Sequence, residues 1–281
     1  MMLRRIFLLN HFRGTTVLAC LLFLTLTGLQ AQPAVIGPVR TEPFVLGITD
    51  IIRSTVMNEE RTLNIYLPPG YNEQDSVRYP VIYLLDGSVD EDFIHMAGLV
   101  YFLGFPWLNL CPPSIVVGIA NVDRKRDYTF PTTVEKDKKD FPTTGGSAAF
   151  IRYLGEEVIP YIRSRYKTNN TSTLIGQSFG GLLATEVLFT HPDWFSKYLI
   201  VSPSLWWDNQ SLLNRTVTLA TQPDVRIAVG KEGRVMERGA KALYRKLRPF
   251  YADKRRLRFH FFKKENHGSI LLHAAYEGLQ K

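Results

Sequence analysis

Cysteine and the common cofactor motifs are scarce in this chain of 281 residues. Only Cys20 and Cys111 occur, and Cys20 lies in the apolar N-terminal segment. Removal of that segment would leave Cys111 alone, which excludes an intramolecular disulfide and favours a buried structural thiol. The patterns G-x-x-x-x-G-K-[ST], G-x-G-x-x-G and H-E-x-x-H are all missing, so the sequence indicates no metal or organic cofactor. It also lacks internal repeats and any aromatic–basic motif for nucleic acid.

The N-terminal residues predict a signal peptide at 1–31. Arg4, Arg5 and Arg13 precede the apolar run "TTVLACLLFLTLTGL", which is followed by "QAQPAV" and a predicted cleavage site after Ala31. The run is too short to span a bilayer comfortably. A lipid anchor at Cys20 is an alternative, although the apolar run continues beyond that residue. We therefore expect a periplasmic or secreted protein without stable membrane insertion after cleavage.

Cleavage would lower the formal net charge from +8 to about +5. Such a modestly basic protein favours anionic small substrates or surfaces and does not require nucleic acid. Residues 32–46 contain three prolines and are interpreted as a linker. Residues 47–281 are long enough for one domain with a sizeable core.

The pattern of apolar residues along 47–281 predicts an α/β fold. Alternation on either side of "NEER" predicts an antiparallel hairpin, and six short Val-, Ile- and Leu-rich runs follow it. Helical periodicity separates these runs at 91–104, 147–166, 180–190, 233–251 and 269–280. The sequence therefore predicts an eight-stranded, mostly parallel sheet with helices on both faces and a small cap after strand 6. The charged run 135–140, "EKDKKD", is interpreted as a solvated loop.

The stretch "TLIGQSFGG" places Ser178 in a G-x-S-x-G pattern between a predicted strand and a predicted helix. This strand–turn–helix holds a nucleophilic serine at its apex, and bulky residues two positions away would collide there. A helix N-terminus after the serine also favours negative charge. Ser178 is therefore predicted to be the nucleophile.

A base for Ser178 is expected after the last strand, because such enzymes have the chain order serine, acid, histidine. His267 in "KKENHGS" fits this position. The acid is expected after the strand "DVRIAVG", which makes Glu232 the candidate. Glu237 and Asp208 are alternatives, and a Ser–His dyad without a strong acid stays open. His95 is a further candidate to face the substrate.

Two backbone N–H groups are predicted to form an oxyanion hole. One is that of Phe179, directly after the nucleophile, and the other is that of Ser88 in the loop "LLDGSVDED". Gly87 is expected to let this loop turn close to the substrate. Asp86 is interpreted as a structural carboxylate that accepts backbone hydrogen bonds.

Six segments in order resemble the putative-esterase branch of the α/β-hydrolases. They are "ERTLNIYLPPGY", "YPVIYLLDG", "GIANVDRKRDYTF", "LIGQSFGG", "VSPSLWW" and "ENHGS". The resemblance covers about residues 45–281 and is strongest to predicted hydrolases grouped with the siderophore trilactone esterases. It implies the same roles for Ser178, His267, Phe179 and Ser88. It does not identify the acid, so Glu232 rests on its position alone.

The resemblance also implies residues that bind the substrate. Arg124, Arg126, Trp206 and Trp207 follow strands at the carboxyl edge of the predicted sheet. Arginine would hold carboxylate or catecholate oxygens, and the indoles would stack on a ring. The alternative is that the arginines are exposed on a loop and the tryptophans pack a small cap.

The predicted function is that of a serine ester hydrolase that works through an acyl-enzyme on a small-molecule ester. The resemblance implies a siderophore trilactone as one candidate ester. Acetylated or feruloylated carbohydrates and simple acyl esters are alternative substrates, and an acyltransferase of the same fold is an alternative activity. A binding protein that kept the fold without catalysis is the remaining hypothesis.

Overall fold

An eight-stranded sheet organises the part of the chain that this computed structural model describes, residues 37–281. The strands are β1 (Ile48–Ser54), β2 (Glu59–Tyr66), β3 (Tyr79–Leu84), β4 (Ile115–Ile119), β5 (Thr168–Gln177), β6 (Lys197–Val201), β7 (Asp224–Gly230) and β8 (Leu257–Phe262). Their order in the sheet is β1-β2-β4-β3-β5-β6-β7-β8. β2 pairs antiparallel with β1 and β4, and the remaining neighbours pair parallel. The predicted hairpin and the mostly parallel sheet are confirmed.

Helices cover both faces of this sheet. Within residues 37–281 they are α1 (Phe93–Leu103), α2 (Arg124–Tyr128), α3 (Glu135–Asp140), α4 (Ser147–Arg152), α5 (Ile159–Arg165), α6 (Phe179–Thr190), α7 (Trp207–Asn214), α8 (Arg234–Leu247) and α9 (Ile270–Gly278). A π-helical turn, Tyr153–Val158, joins α4 to α5, and a 3₁₀ turn, Arg248–Phe250, follows α8. The five predicted helical stretches are all present.

The run 135–140 forms α3, so its interpretation as a loop was wrong. None of its residues is buried, which agrees with the predicted solvation. Pairs of charged side chains at helical spacing, Lys136 with Asp140 and Lys138 with Glu135, stabilise this short helix. Charge spacing of this kind supports a helix that has no apolar face.

Alternate residues of the central strands enter two separate cores. In β3, Val81 and Tyr83 belong to one buried cluster, and Ile82 and Leu84 belong to the other. A strand that is buried on both faces needs a continuous apolar run, since consecutive side chains point to opposite faces. Cys111 is a buried free thiol in the second cluster, and burial raises its pKa.

Residues Val45–Lys281 form one compact unit. The predicted signal peptide at 1–31 lies outside the described residues, as does part of the predicted linker. Residues 37–46 contain no helix or strand. Among residues 37–281 the structure contains no helix with the length and apolar character needed to cross a membrane. The same residues show no cluster of His, Cys, Asp and Glu that could hold a metal ion.

Candidate active site

Ser178 occupies a sharp turn between β5 and α6. Its backbone has φ 59° and ψ −118°, and such a conformation costs a non-glycine residue about 1–3 kcal/mol. The Ser178 N–H donates to the carbonyl of Val201 at 3.1 Å, and its own carbonyl accepts from the Ser204 N–H at 3.0 Å. A Cβ at Gly176 would overlap the carbonyl of Gly180. The turn therefore requires glycine two residues before the serine, as predicted.

Glu232 and His267 are joined by a hydrogen bond at the carboxyl end of β7 and β8. Nδ1 of His267 lies 2.6 Å from Oε2 of Glu232, whose side chain is 2% exposed. The other carboxylate oxygen accepts from the Ser202 hydroxyl and from the Gly230 N–H. Burial alone would raise the pKa of Glu232, but the hydrogen bonds from His267, Ser202 and Gly230 lower it overall. An ionised Glu232 favours a proton on Nδ1, which leaves Nε2 of His267 free to accept one.

Ser178 and His267 line the same two cavities, although no hydrogen bond joins them within the described residues. The Ser178 Oγ instead lies 3.3 Å from the Oγ of Ser204. In enzymes without bound substrate the bond between nucleophile and base is often long or absent. The side-chain amide of Gln177 donates to the His267 carbonyl and ties the histidine loop to the end of β5.

The other described histidines have partners other than Ser178. Their partners are Asp92 for His95, Trp194 for His191, Glu277 for His260 and the Ser269 carbonyl for His273. None of these four lines either cavity beside Ser178. Among the described residues, His267 is thus the histidine that the fold brings to the nucleophile.

The N–H groups of Phe179 and Ser88 have no hydrogen-bond acceptor within the part of the chain that the structure describes. The loop that carries Ser88 is held against β4, because the Gly87 N–H donates to the Ile119 carbonyl at 3.0 Å. A Cβ at Gly87 would overlap the backbone of Gly118. Glycine at this position therefore permits close contact with a neighbouring strand.

Asp86 and Arg124 form a two-pronged ion pair beside this loop. Arg124 donates from Nε to Oδ1 at 2.6 Å and from Nη2 to Oδ2 at 2.9 Å. The Asn121 side chain donates to Oδ1 at 2.8 Å, and Arg124 also reaches the Gln177 carbonyl at 3.3 Å. Asp86 therefore anchors the loop through side-chain donors, where the sequence predicted backbone donors. Arg124 lines one of the cavities beside Ser178, with its guanidinium held by this carboxylate.

Arg126 belongs to a different ion-pair cluster. Its guanidinium lies 2.6 Å from Glu59 and 2.7 Å from Asp127. Asp127 also pairs with Arg61 at 2.7 Å, and both of these side chains are fully buried. The cluster ties α2 to the β1–β2 hairpin, and Arg126 lines neither cavity beside Ser178.

The larger cavity beside Ser178, of about 600 Å³, is called here the tryptophan-side cavity. It is lined by Ser178, Ser204, Trp206, Lys231, Glu232, Met236, Asn266 and His267. The two neighbouring tryptophans differ in their surroundings. Trp206 lies half-buried at the cavity, whereas Trp207 is fully buried and donates from Nε1 to the Phe130 carbonyl at 2.9 Å. Trp207 therefore packs the cap, and Trp206 faces the site.

Asp208 fastens this cap to the 130s loop. Its carboxylate accepts from the Thr133 N–H at 2.6 Å and from the Thr132 hydroxyl at 3.1 Å. Asp208, Asn209 and Gln210 all have positive φ, between 46° and 64°, which is a left-handed turn that costs roughly 1–2 kcal/mol per residue. Asp208 has no histidine partner among the described residues, so its alternative role as the acid is wrong. Glu237 bonds to the Gly233 N–H, also away from His267.

The smaller cavity beside Ser178, of about 430 Å³, is called here the carboxylate-side cavity. Glu91 and Asp92 line it together with the Asp86–Arg124 pair. Burial, with the nearby charges of Asp86 and Glu91, raises the pKa of Asp92 to about 7. Asp92 lies 3.2 Å from Nε2 of His95, whose pKa is lowered by burial. A protonated Asp92 can therefore donate to a neutral His95.

Ser202 and Ser204 are site residues that the sequence reasoning missed. Both follow β6; one hydroxyl contacts Glu232 and the other contacts the Ser178 hydroxyl. Ser202 has a φ of 43° and is fully buried. The signal that could have found them is the motif "SPS", which places two hydroxyls at the carboxyl end of a predicted central strand.

Comparison with known proteins agrees with this geometry. A family model described as "Putative esterase" matches residues 54–271. The chain belongs to this esterase family. The esterase is 31% identical over 253 residues to the ferri-bacillibactin esterase BesA of Bacillus subtilis (strain 168). The aligned region covers 81% of this chain and 87% of that protein.

Solved structures resemble the esterase over most of its length. An IroE-like serine hydrolase from Shewanella oneidensis matches with a TM-score of 0.73 and 32% identity, over 83% of this chain and 78% of that one. The BES protein from Bacillus cereus matches with a TM-score of 0.70 and 27% identity, over 87% and 98% of the two chains. The esterase therefore has the predicted α/β-hydrolase fold and is a carboxylic ester hydrolase.

Proposed function

We propose that Ser178 is the nucleophile of this esterase, His267 its base and Glu232 the acid that orients the base. The observation that carries this assignment is the 2.6 Å contact between Glu232 and Nδ1 of His267, beside a serine at the apex of a strained turn. Three side chains from three different loops are thereby assembled in the order serine, acid, histidine. This arrangement supports a triad over a Ser–His dyad.

The proposed reaction begins when the Ser178 oxygen attacks the ester carbonyl carbon and its proton passes to Nε2 of His267. The negative oxygen of the tetrahedral intermediate accepts hydrogen bonds from the N–H groups of Phe179 and Ser88. His267 then gives its proton to the leaving alcohol, and an acyl-enzyme on Ser178 remains. His267 next removes a proton from water, which attacks the acyl carbon. His267 then returns the proton to the Ser178 oxygen as the acid leaves, which restores the free enzyme.

For the substrate, we propose a siderophore ester that carries aromatic iron-chelating groups. The name of the Bacillus relative specifies a ferri-bacillibactin ester, and this chain matches it over most of both proteins. The tryptophan-side cavity supports the same class, since Trp206 offers a face for stacking and Lys231 a cation for oxygen anions. Its volume of about 600 Å³ suits one arm of a large ligand.

The test compares three esters with purified protein: ferri-bacillibactin, iron-free bacillibactin and p-nitrophenyl acetate. We expect kcat/KM for one of the two siderophore forms to exceed that for p-nitrophenyl acetate by about a hundredfold, because aromatic contacts add binding in the transition state. Equal kcat/KM values for all three esters would reject the siderophore as the preferred substrate but would still agree with esterase activity.

Two substitutions refine this test. Ser178→Ala should lower kcat by at least about 10⁴-fold for all esters, as expected for loss of the nucleophile; retained activity would reject that assignment.

Trp206→Ala should raise KM for the siderophore alone. Trp107→Ala, at an exposed tryptophan outside both cavities, is the matched control and should leave KM unchanged.

We also propose that the protein is exported. The support is the basic and apolar sequence of residues 1–31, which resembles a signal peptide. Expression in a Gram-negative host followed by fractionation should recover the protein from the periplasm with Gln32 as its first residue. Recovery of the intact chain from the cytoplasm would contradict export.

A further inference from the structure

The positive charge of this protein is concentrated in one segment. Residues 234–264 contain twelve Lys and Arg residues and two acidic residues, Glu237 and Asp253. This segment has a formal charge of +10, whereas the whole chain has +8, so all other residues together carry −2. Without residues 1–31, which contribute three arginines, the remainder carries −5. The basic character of the sequence therefore describes one region of the molecule.

Helix α8 displays much of this charge as a single stripe. Arg234, Arg238, Lys241 and Arg245 of the helix and Arg248 directly after it follow one another at intervals of four and three residues, and all five are exposed. This spacing keeps them on one side of a helix, over a length of about 21 Å. The opposite side is apolar and lies against the sheet, with Ala240, Leu243 and Leu247 buried.

The edge strand β8 extends the charged surface beside α8. Lys254, Arg255 and Arg256 precede this strand, and Lys263 and Lys264 follow it; all are exposed. Arg258 within the strand lies on the other side of the sheet, because its neighbour Phe259 packs on Tyr244 of α8. We call the exposed Lys and Arg residues of 234–264 other than Arg258 the basic face.

Few of these charges are neutralised within the molecule. Among the described residues, carboxylate partners are present for Arg255, with Asp253, and for Arg256, with Asp224. The other ten cations of the segment have no carboxylate within salt-bridge distance in residues 37–281. Crowding these cations together does not stabilise the fold, since like charges repel. The rest of the molecule is acidic, so the cluster is more readily explained by an anionic partner.

We propose that the basic face binds the surface of an anionic lipid bilayer. Attraction between clustered Lys and Arg residues and anionic head groups is electrostatic and needs no inserted apolar group. The apolar side of α8 is occupied by the sheet, so the helix lies on the bilayer surface without entering it. Ser178 and the cavities beside it lie at the carboxyl ends of the strands, and the stripe begins there and runs away from them. Binding through the stripe leaves the cleft open to substrate.

A bilayer fits the basic face better than a small anion or a nucleic acid does. A stripe of about 21 Å exceeds one small ligand, and it lies on the outer side of a helix whose inner side packs on the sheet. Residues 234–264 contain no Asn, Gln, Ser, Thr or Trp, and their Tyr and Phe side chains are buried or half-buried. The face therefore offers little beyond Lys and Arg to read or stack on bases. Lys and Arg, spread over a helix and the two ends of an adjacent edge strand, match a planar array of anionic charges.

The test measures binding of the purified protein to two kinds of vesicle, phosphatidylcholine alone and phosphatidylcholine mixed with phosphatidylglycerol. We expect sedimentation with the mixed vesicles only, and its loss at high salt, where the Debye length falls to about 3 Å. The triple variant Arg238→Gln, Lys241→Gln, Arg245→Gln should bind about a hundredfold more weakly, at about fivefold for each basic residue.

A second triple variant, Arg53→Gln, Arg78→Gln, Arg163→Gln, is the matched control. It makes the same change in net charge at exposed residues outside the basic face and should bind like the wild type. Both variants should hydrolyse a soluble ester at the wild-type rate, which verifies that they are folded. The proposal is overturned if both kinds of vesicle bind equally, if both variants bind alike, or if duplex DNA binds more tightly than mixed vesicles at equal salt.

Discussion

On one side of Ser178 the Glu232 carboxylate bonds to His267, and on the other side Asp92 lies beside Asp86 and Glu91. Their pKa values are displaced in opposite directions. Burial is the largest influence on both and favours the protonated form. In Glu232, hydrogen bonds overcome burial and lower the pKa. In Asp92, neighbouring negative charges add to burial and raise the pKa to about 7.

The difference lies in the number of donors that each carboxyl group receives. Glu232 accepts from His267, Ser202 and Gly230, so its ionised form is fully hydrogen-bonded. The Asp92 side chain has a contact with His95 and faces two other carboxylates. A buried carboxyl group stays ionised only where donors replace the lost water. Glu232 is thus held ionised at neutral pH, whereas Asp92 can be uncharged there.

Glu232→Gln removes the charge of the ionised carboxylate and should have the largest effect on activity. The amide nitrogen would donate to Nδ1 of His267, which places the imidazole proton on Nε2 and prevents acceptance from Ser178. We expect kcat to fall by about 10³–10⁴-fold with the fold intact, measured in steady-state ester hydrolysis. Glu237→Gln, in the first turn of α8, should leave kcat unchanged. A near-normal rate for Glu232→Gln would favour a Ser–His dyad.

Arg124→Met tests the other side, where we expect Arg124 to position the Ser88 loop through Asp86. Loss of the ion pair should lower kcat about a hundredfold for neutral and anionic esters alike. It should also lower the free energy of unfolding by about 2 kcal/mol, because Asp86 would lose its main partner. Arg126→Met should affect stability without changing kcat. If only KM for anionic esters changed, the result would instead support the predicted contact between Arg124 and the substrate.

Ser202→Ala tests whether the hydrogen bond from Ser202 helps to keep Glu232 ionised. The substitution removes one of three donors and should lower kcat about tenfold without changing KM, as for residues that support a catalytic group. Rates as a function of pH should show the decline on the acid side moved to higher pH, because Glu232 would be easier to protonate. In the Glu232→Gln background the same substitution should add little, since both act through one contact. Additive losses would show that Ser202 acts elsewhere.

Asp92→Asn should have the smallest effect on activity and a clear effect on the pH dependence of stability. Asp92 titrates near pH 7 in the folded protein and near its ordinary value of 3.8 when unfolded. Between these values the folded state holds a proton that the unfolded state has lost, so the free energy of unfolding falls as pH rises. The variant lacks this fall and should be more stable than the wild type above pH 7, by about 1–2 kcal/mol after allowance for partial exposure.

Chemical denaturation at pH 5 and pH 8 measures this difference. Asp90→Asn, at the exposed neighbouring residue, is the matched control and should follow the wild type. Equal pH dependence for Asp92→Asn and the wild type would mean that Asp92 is ionised in the folded protein at neutral pH.

Much of the site was predictable because its residues stand at defined positions relative to strands. Ser178 follows β5, Glu232 follows β7 and His267 follows β8, and in a parallel sheet those ends meet at one edge. The side chains of Arg124 and Arg126 were harder to assign. Both follow a strand as predicted, yet their carboxylate partners Asp86 and Glu59 lie 38 and 67 residues away in the chain. Pairings over such separations have no local pattern.

The sequence by itself determined the strand and helix order, the strained serine turn and the position of the histidine, because periodicity and glycine spacing are local properties of the chain. Tertiary structure decided which charged groups interact within the fold. It pairs Asp86 with Arg124, bonds Asp208 to the 130s loop and surrounds Glu232 with three hydrogen-bond donors. It also left most of the charged side chains of residues 234–264 exposed on α8 and at the two ends of β8. These outcomes depend on burial and on contacts between distant residues, which only the folded chain defines.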